Sequence, residues 1–211
     1  PTGLAQWKSV CEEQGLIFAS PFEAGNDCDT RQRVRIVLDV LDDVRRRYSI
    51  DSDRTYIGGF SGGGRIACAI AFSLPEYFGG VVPVCAAGDL REETWLKHRA
   101  QARLSVAHLT GETDFNRGEI ERFRGPMLAD VGVRSKIWTI DGMGHSIPGA
   151  KSLDAAYRWL EEGLKARQRF AQDFPASRVD SKSAFGRDEF AAALVAEARK
   201  HILEGDFQSW K

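Results

Sequence analysis

Between residues 4 and 169, short apolar runs rich in Val, Ile, Leu and aromatic residues alternate with segments whose apolar positions recur every three or four residues. Such alternation predicts a mostly parallel β-sheet with crossover helices, an α/β domain. Five strands are predicted, at 16–20, 55–60, 80–85, 104–109 and 136–140, each bounded by Gly, Pro or Asp. Between the first two, Val34, Val37, Leu41, Val44 and Tyr48 define an amphipathic helix with its apolar stripe toward the sheet. Further crossovers are predicted at 62–73, 92–99, 120–131 and 153–165. The pattern changes near residue 168, giving an α/β domain at 1–167 and a C-terminal linker and helical extension at 168–211. In that extension 168–187 is polar, with Pro175 and several Ser, whereas Phe190, Ala191, Leu194, Val195, Ala198 and Ile202 form one apolar stripe. The stripe requires a surface to pack on, either the domain body or a second subunit.

Length and composition fit this reading. The 211 residues suit one domain with a single core. No apolar run approaches the roughly 18 residues of a spanning helix, so a soluble protein is expected. With 29 basic and 30 acidic residues the net charge is -1, and nothing in that balance points to nucleic acid or an anionic membrane surface. The four cysteines, Cys11, Cys28, Cys68 and Cys85, are single, without CxxC pairs or His at metal-ligand spacing, so no metal is implied. Cys68 and Cys85 lie in apolar runs and read as buried small hydrophobes. Cys11 and Cys28 are left as a pair that an oxidising compartment could join.

The chemistry concentrates in Thr55-Tyr-Ile-Gly-Gly-Phe-Ser61-Gly-Gly-Gly-Arg-Ile, an apolar strand running through G-x-S-x-G directly into a helix. A serine at a strained strand-to-helix turn needs small neighbours, Gly59 and Gly63, so that strand and helix can approach without Cβ clashes. The turn aims the hydroxyl out of the carboxyl end of the sheet and leaves the Gly62 N–H at a helix N-terminus, suited to a developing oxyanion.

Serine is a weak nucleophile unless a base takes its proton and a carboxylate orients that base. After the strand at 104–109 comes Thr110-Gly-Glu-Thr-Asp114, with Asp114 favoured as the acid and Glu112 as its competitor. Asp141 is too near His145 in sequence to reach its Nδ1 easily, and reads as a turn cap. His145 lies in the Gly-rich loop after the last strand, where the base belongs. His98, His108 and His201 fit worse, two in helical segments and one inside a strand. Ser61, Asp114 and His145 thus stand in the order nucleophile, acid, base expected for acyl transfer to water.

These motifs resemble the esterase branch of the α/β-hydrolase superfamily, which includes polyhydroxybutyrate depolymerases and feruloyl or acetylxylan esterases. The resemblance spans residues 7–161 and is carried by Tyr48-Ser-Ile-Asp51 and Arg54 leading into the elbow, Pro75-Glu-Tyr-Phe78, Gly111-Glu-Thr-Asp114 and Gly144-His145. It implies ester hydrolysis by Ser61, Asp114 and His145 without metal or organic cofactor, and favours a secreted or periplasmic location. The family places a strand and a His-Gly loop, source of a second oxyanion N–H, ahead of the helix containing Trp7. Here the chain opens inside that loop, so the N-terminal strands are expected to be missing. Loss of one oxyanion donor typically lowers the rate about 100- to 1000-fold.

The spacing from Ser61 to His145 is already filled by strands and helices, leaving no room for a large lid and suggesting an open site for a bulky or polymeric ester. Arg65, Arg117, Arg122 and Arg124 are candidates for recognising an anionic group, or else solvated helix charges, and Phe60, Phe115 and Trp138 for core or pocket wall. The exposed sheet edge and the C-terminal stripe offer two routes to a homo-oligomer. Two other readings remain: a serine peptidase of the prolyl-oligopeptidase type, and a non-catalytic scaffold of the same fold.

Overall fold

The structure is a computed structural model describing residues 4–90, 93–123, 128 and 131–173. Strands β1 (Tyr56–Phe60), β2 (Gly80–Val84), β3 (Ser105–Gly111) and β4 (Arg134–Ile140) form one parallel sheet in the order β1-β2-β3-β4. The helices are α1 (Leu4–Gln14), α2 (Thr30–Arg47), α3 (Gly62–Ser73), α4 (Thr94–Arg103), α5 (Arg117–Arg122) and α6 (Ala150–Asp173). This is the helix-flanked parallel sheet anticipated from the alternating pattern.

Alternation of side chains sorts the two inner strands between two cores. Val81 and Val106 face a cluster built from Ile66, Ile70 and Phe72 of α3, Ala100 of α4 and the α2 stripe of Val34, Val37, Leu38 and Leu41. Val82, Val84, Ala107 and Leu109 face the opposite cluster, with Trp7 and Val10 of α1 and Leu153, Ala156, Tyr157 and Leu160 of α6. Every residue of β2 and β3 is buried, whereas β1 and β4 are only partly covered, as befits outer strands. Helix α2 begins where the Asp29 carboxylate accepts from the N–H groups of Arg31 and Gln32, and ends in Arg45, Arg46 and Arg47, favourable beside its carbonyl end.

The lead-in motif turns out to be a clamp for the scaffold. Asp51 caps a short 3₁₀ turn. Arg54 donates to Glu161 of α6 at 3.1 and 3.2 Å and to the Gln14 carbonyl at the end of α1 at 3.0 Å, and the Tyr56 hydroxyl donates to the same Glu161 at 2.6 Å. Phe78, closing the Pro75–Tyr77 turn, is buried in the α3 core.

Three expectations need correction. Residues 16–20 join no ladder, Leu16 N–H turning back to the Cys11 carbonyl of α1 at 2.8 Å, and Ile17 is 55% exposed. Strand propensity describes a side chain's fit to a packed surface, and without a hydrogen-bonding neighbour it does not make a strand. The helix predicted at 120–131 starts earlier, as the short α5 at Arg117–Arg122 with Ile120 buried, and much of the rest of that span lies outside the described residues. Helix α6 runs on to Asp173, past the boundary expected at 167, because no helix breaker interrupts 168–173. The helix predicted at 189–201, Arg124 and His201 lie outside the described residues.

Candidate active site

Ser61 follows β1 directly, with φ 51° and ψ -118°, backbone values that a residue bearing a Cβ adopts at a cost of about 1–3 kcal/mol. The surroundings hold it there: its N–H donates to the Val84 carbonyl at 2.8 Å, and its carbonyl accepts from Arg65 N–H at 3.1 Å in the first turn of α3. The glycine requirement differs from that read off the motif. A Cβ on Gly59 would lie 2.5 Å from the Gly63 backbone, and one on Gly64 would lie 2.8 Å from both Gly59 O and Ala86, whereas one on Gly63 would meet nothing within 4 Å. Strand and helix therefore close on Gly59 and Gly64. Gly62, the first residue of α3, lies directly under the side-chain amide of Asn26, which a Cβ there would displace.

The three sequence-predicted residues come together. His145 Nε2 stands 2.9 Å from Ser61 Oγ, and His145 Nδ1 stands 2.8 Å from Asp114 Oδ1. An ionised carboxylate only accepts, so the proton between this pair sits on Nδ1, and Nε2 presents its lone pair to the serine hydroxyl. Asp114 is locked by its own turn: Thr110 Oγ1 donates to Oδ2 at 2.7 Å and Asn116 N–H to Oδ1 at 3.1 Å. Burial alone would raise this carboxyl. It is outweighed by hydrogen bonds from Thr110, His145, Asn116 and Cys85, which together hold Asp114 below the ordinary carboxylate range.

The histidine loop is pinned to the loop of the acid. Thr113 N–H and Oγ1 both donate to the Met143 carbonyl, at 3.1 and 3.2 Å. Glu112, the competitor for the acid, instead accepts from Gly142 N–H at 3.0 Å and so caps the turn before His145. Two rings flank the imidazole: Phe115 stacks on it at 4.1 Å while remaining 77% exposed, and Phe60 lies tilted at 4.9 Å. Phe60 also packs against the core on the α1 and α6 side, as does Trp138, which lies edge-on against Trp159. Of the candidate anion-binding arginines, Arg65 pairs with Glu119 at 2.6 Å, and Arg117 with Glu121 at 2.8 Å.

Sequence reasoning missed two groups. Asn26 carries no local signal, since it reaches Gly62 from a loop far away in sequence. Cys85, placed among core hydrophobes, is buried as expected, but its Sγ lies within 4.8 Å of ligand atoms of both Asp114 and His145. Burial, the hydrogen bond to Asp114 and that group's charge push the thiol up to about 12. Within this trio His145 Nδ1 and Asp114 Oδ1 already engage each other at 2.8 Å. All four cysteines are free.

No protein-family model matches the chain, and no curated protein matches it. Among solved structures it is similar to a Bacillus cereus carboxylesterase, at 20% identity over 69% of this chain and 68% of that one, with a TM-score of 0.49. It is similar also to an S-formylglutathione hydrolase from Staphylococcus aureus, at 18% identity over 62% and 60% with a TM-score of 0.46, and to SOBER1 of Arabidopsis thaliana, at 21% over 71% and 72% with a TM-score of 0.47. These likenesses concern fold; the chemistry open to this site follows from its own geometry.

Proposed function

We propose that the chain is a serine hydrolase that cleaves carboxylic esters through an acyl-enzyme, with Ser61 as nucleophile, His145 as general base and Asp114 as the orienting acid. The observation that carries this reading is the continuous hydrogen-bonded line Ser61 Oγ, His145 Nε2, His145 Nδ1, Asp114 Oδ1 at the carboxyl ends of parallel strands. In the first half-reaction Ser61 Oγ bonds to the acyl carbon as its proton passes to Nε2, the oxygen developing negative charge at the Gly62 N–H. His145 then returns that proton to the departing alcohol oxygen. Water repeats the sequence, losing a proton to Nε2 while its oxygen bonds to the acyl carbon and Ser61 leaves. Asp114 stays ionised throughout and stabilises the imidazolium.

No metal or organic cofactor has a place in these steps. Among the described residues no helix is long and apolar enough to cross a membrane. The exposed Phe115 beside His145 supports an accessible site for bulky or polymeric esters over small ones. The test combines covalent labelling by a fluorophosphonate with turnover of p-nitrophenyl acetate, a feruloyl ester and a dipeptide anilide. Labelling that Ser61→Ala abolishes, with esters preferred, is the expected result. Preference for the anilide would make the protein a peptidase, and a folded full-length protein that neither labels nor turns over would leave only a scaffold role.

A further inference from the structure

We propose that Cys85 is a positioning residue of this site: its thiol, seated where the turns after β2, β3 and β4 meet, holds the His145 loop against the Asp114 carboxylate. The inference rests on the serine-hydrolase reading. Cys85 stands to β2 as Ser61 stands to β1. In the sheet register Phe60 pairs with Val84, so the two residues are neighbours one step beyond the paired ends, and both take φ 51°. Each also continues the ladder with its N–H, Ser61 to the Val84 carbonyl and Cys85 to the Leu109 carbonyl at 2.7 Å. A residue with a Cβ stays in this disfavoured conformation only where its surroundings fix it.

Those surroundings are the machinery itself. Cys85 Sγ faces the Ser146 carbonyl at 3.4 Å and the Gly144 carbonyl at 4.0 Å, one on each side of His145. The same Sγ lies within 4.8 Å of ligand atoms of both Asp114 and His145. On its other side, the Cys85 carbonyl accepts from Asn116 Nδ2 at 2.9 Å, and the backbone N–H of that asparagine donates to Asp114 Oδ1. One residue thus touches both loops that must stay in register for the imidazole to bridge acid and nucleophile. Cys68 provides the contrast, equally buried but within α3 among apolar side chains, where packing accounts for it.

Asp114 is the charge that the His145 loop must face, and a thiol that remains neutral puts no second negative charge beside it. The ionisable groups around this point are Asp114 after β3, His145 after β4 and, from α3, Arg65, whose charge is already paired with Glu119 of α5. Removing the thiol frees the His145 loop to draw back from Asp114, which weakens the hold of the carboxylate on the imidazolium.

The test compares Cys85→Ala, Cys85→Gly and Cys85→Ser in the full-length protein, by the pH profile of kcat/KM on p-nitrophenyl acetate alongside Ser61→Ala. Ala and Gly are expected to lower kcat roughly 2- to 10-fold, the worth of one hydrogen bond to a neutral carbonyl, with KM within about 2-fold. Both should move the midpoint of the acidic limb downward, and Ser, which keeps a donor, should return it toward that of the parent. Should Ala fail to fold, Gly carries the comparison, because it takes φ 51° without strain. The midpoint decides: unshifted in the folded donorless variant, it leaves Cys85 a packing role and overturns the proposal, whatever happens to kcat. Turnover surviving in Ser61→Ala would overturn the hydrolase reading and this proposal with it, whereas an inactive Ser61→Ala beside an unshifted midpoint overturns the Cys85 role alone.

Discussion

Replacing Asp114 by Asn separates charge from geometry at this site, because the local hydrogen bonds accept an amide in one orientation. With its oxygen at the Oδ1 position, the amide still accepts from Asn116 N–H and from His145 Nδ1–H, and its NH₂ meets Thr110 Oγ1, a hydroxyl free to rotate and accept. The imidazole therefore keeps its tautomer and its approach to Ser61, and what disappears is the negative charge opposite the imidazolium. At a charge separation of about 4 Å and an effective dielectric constant near 20, that interaction is about 4 kcal/mol, and each 1.4 kcal/mol is a factor of ten. The expected loss in kcat/KM is about 10³-fold, with KM little changed, measured on p-nitrophenyl acetate and by the rate of fluorophosphonate inactivation. Glu112→Gln keeps the acceptor that caps Gly142 N–H and should stay within about 3-fold of the parent. An Asp114→Asn enzyme within 10-fold of the parent, or a Glu112→Gln enzyme as slow as Asp114→Asn, would refute the assignment of the acid.

Gly59→Ala or Gly64→Ala drives a methyl into backbone or Ala86 and should cost about 1–3 kcal/mol by urea denaturation, whereas Gly63→Ala, with open space around its Cβ, should match or exceed the parent in stability; equal losses at all three would contradict the packing at the turn. Asp114 is held below its ordinary range, so the unfolded chain binds a proton there more readily than the folded one; the associated stability is present above about pH 4 and is lost as pH falls through the folded-state value. Thr110→Val removes one donor and should lessen that acid sensitivity, which urea midpoints between about pH 3 and 5, one unit either side of the carboxylate value, would reveal as a smaller slope. Phe115→Ala should barely alter the melting temperature, the ring being 77% exposed, yet raise KM for esters of aromatic alcohols more than for methyl esters; equal effects on both would remove the ring from the substrate path.

What the sequence made legible follows from chain direction. In a parallel sheet every strand ends at the same edge, so residues just past β1, β3 and β4 must gather there, and Ser61, Asp114 and His145 could be placed without knowing the strand order. The same rule applied to β2 points at Cys85, but a cysteine at the end of an apolar run looks like core, and only the carbonyls on either side of His145 distinguish it from Cys68. Asn26 and Gly64 matter through approaches between segments distant in the chain, which no periodicity records. Residues 16–20 mislead for the complementary reason: Leu16, Ile17 and Phe18 have the composition of a strand, but a strand is completed by its partner.

Among the described residues three non-glycine positions have positive φ, Glu23, Ser61 and Cys85, and two of these are register neighbours at the site. Strain repeated on adjacent strands at the same level brings both side chains to one place, the loop of His145. Nε2 draws Ser61 Oγ toward it, while the carbonyls of Gly144 and Ser146 receive the Cys85 thiol. Relaxing either turn toward an ordinary extended conformation would withdraw one side chain from the imidazole. The sheet thus supplies the fixed edge and the two left-handed turns supply the reach, so stability and activity should separate at these positions: glycine at 85 relieves the backbone while losing the contact.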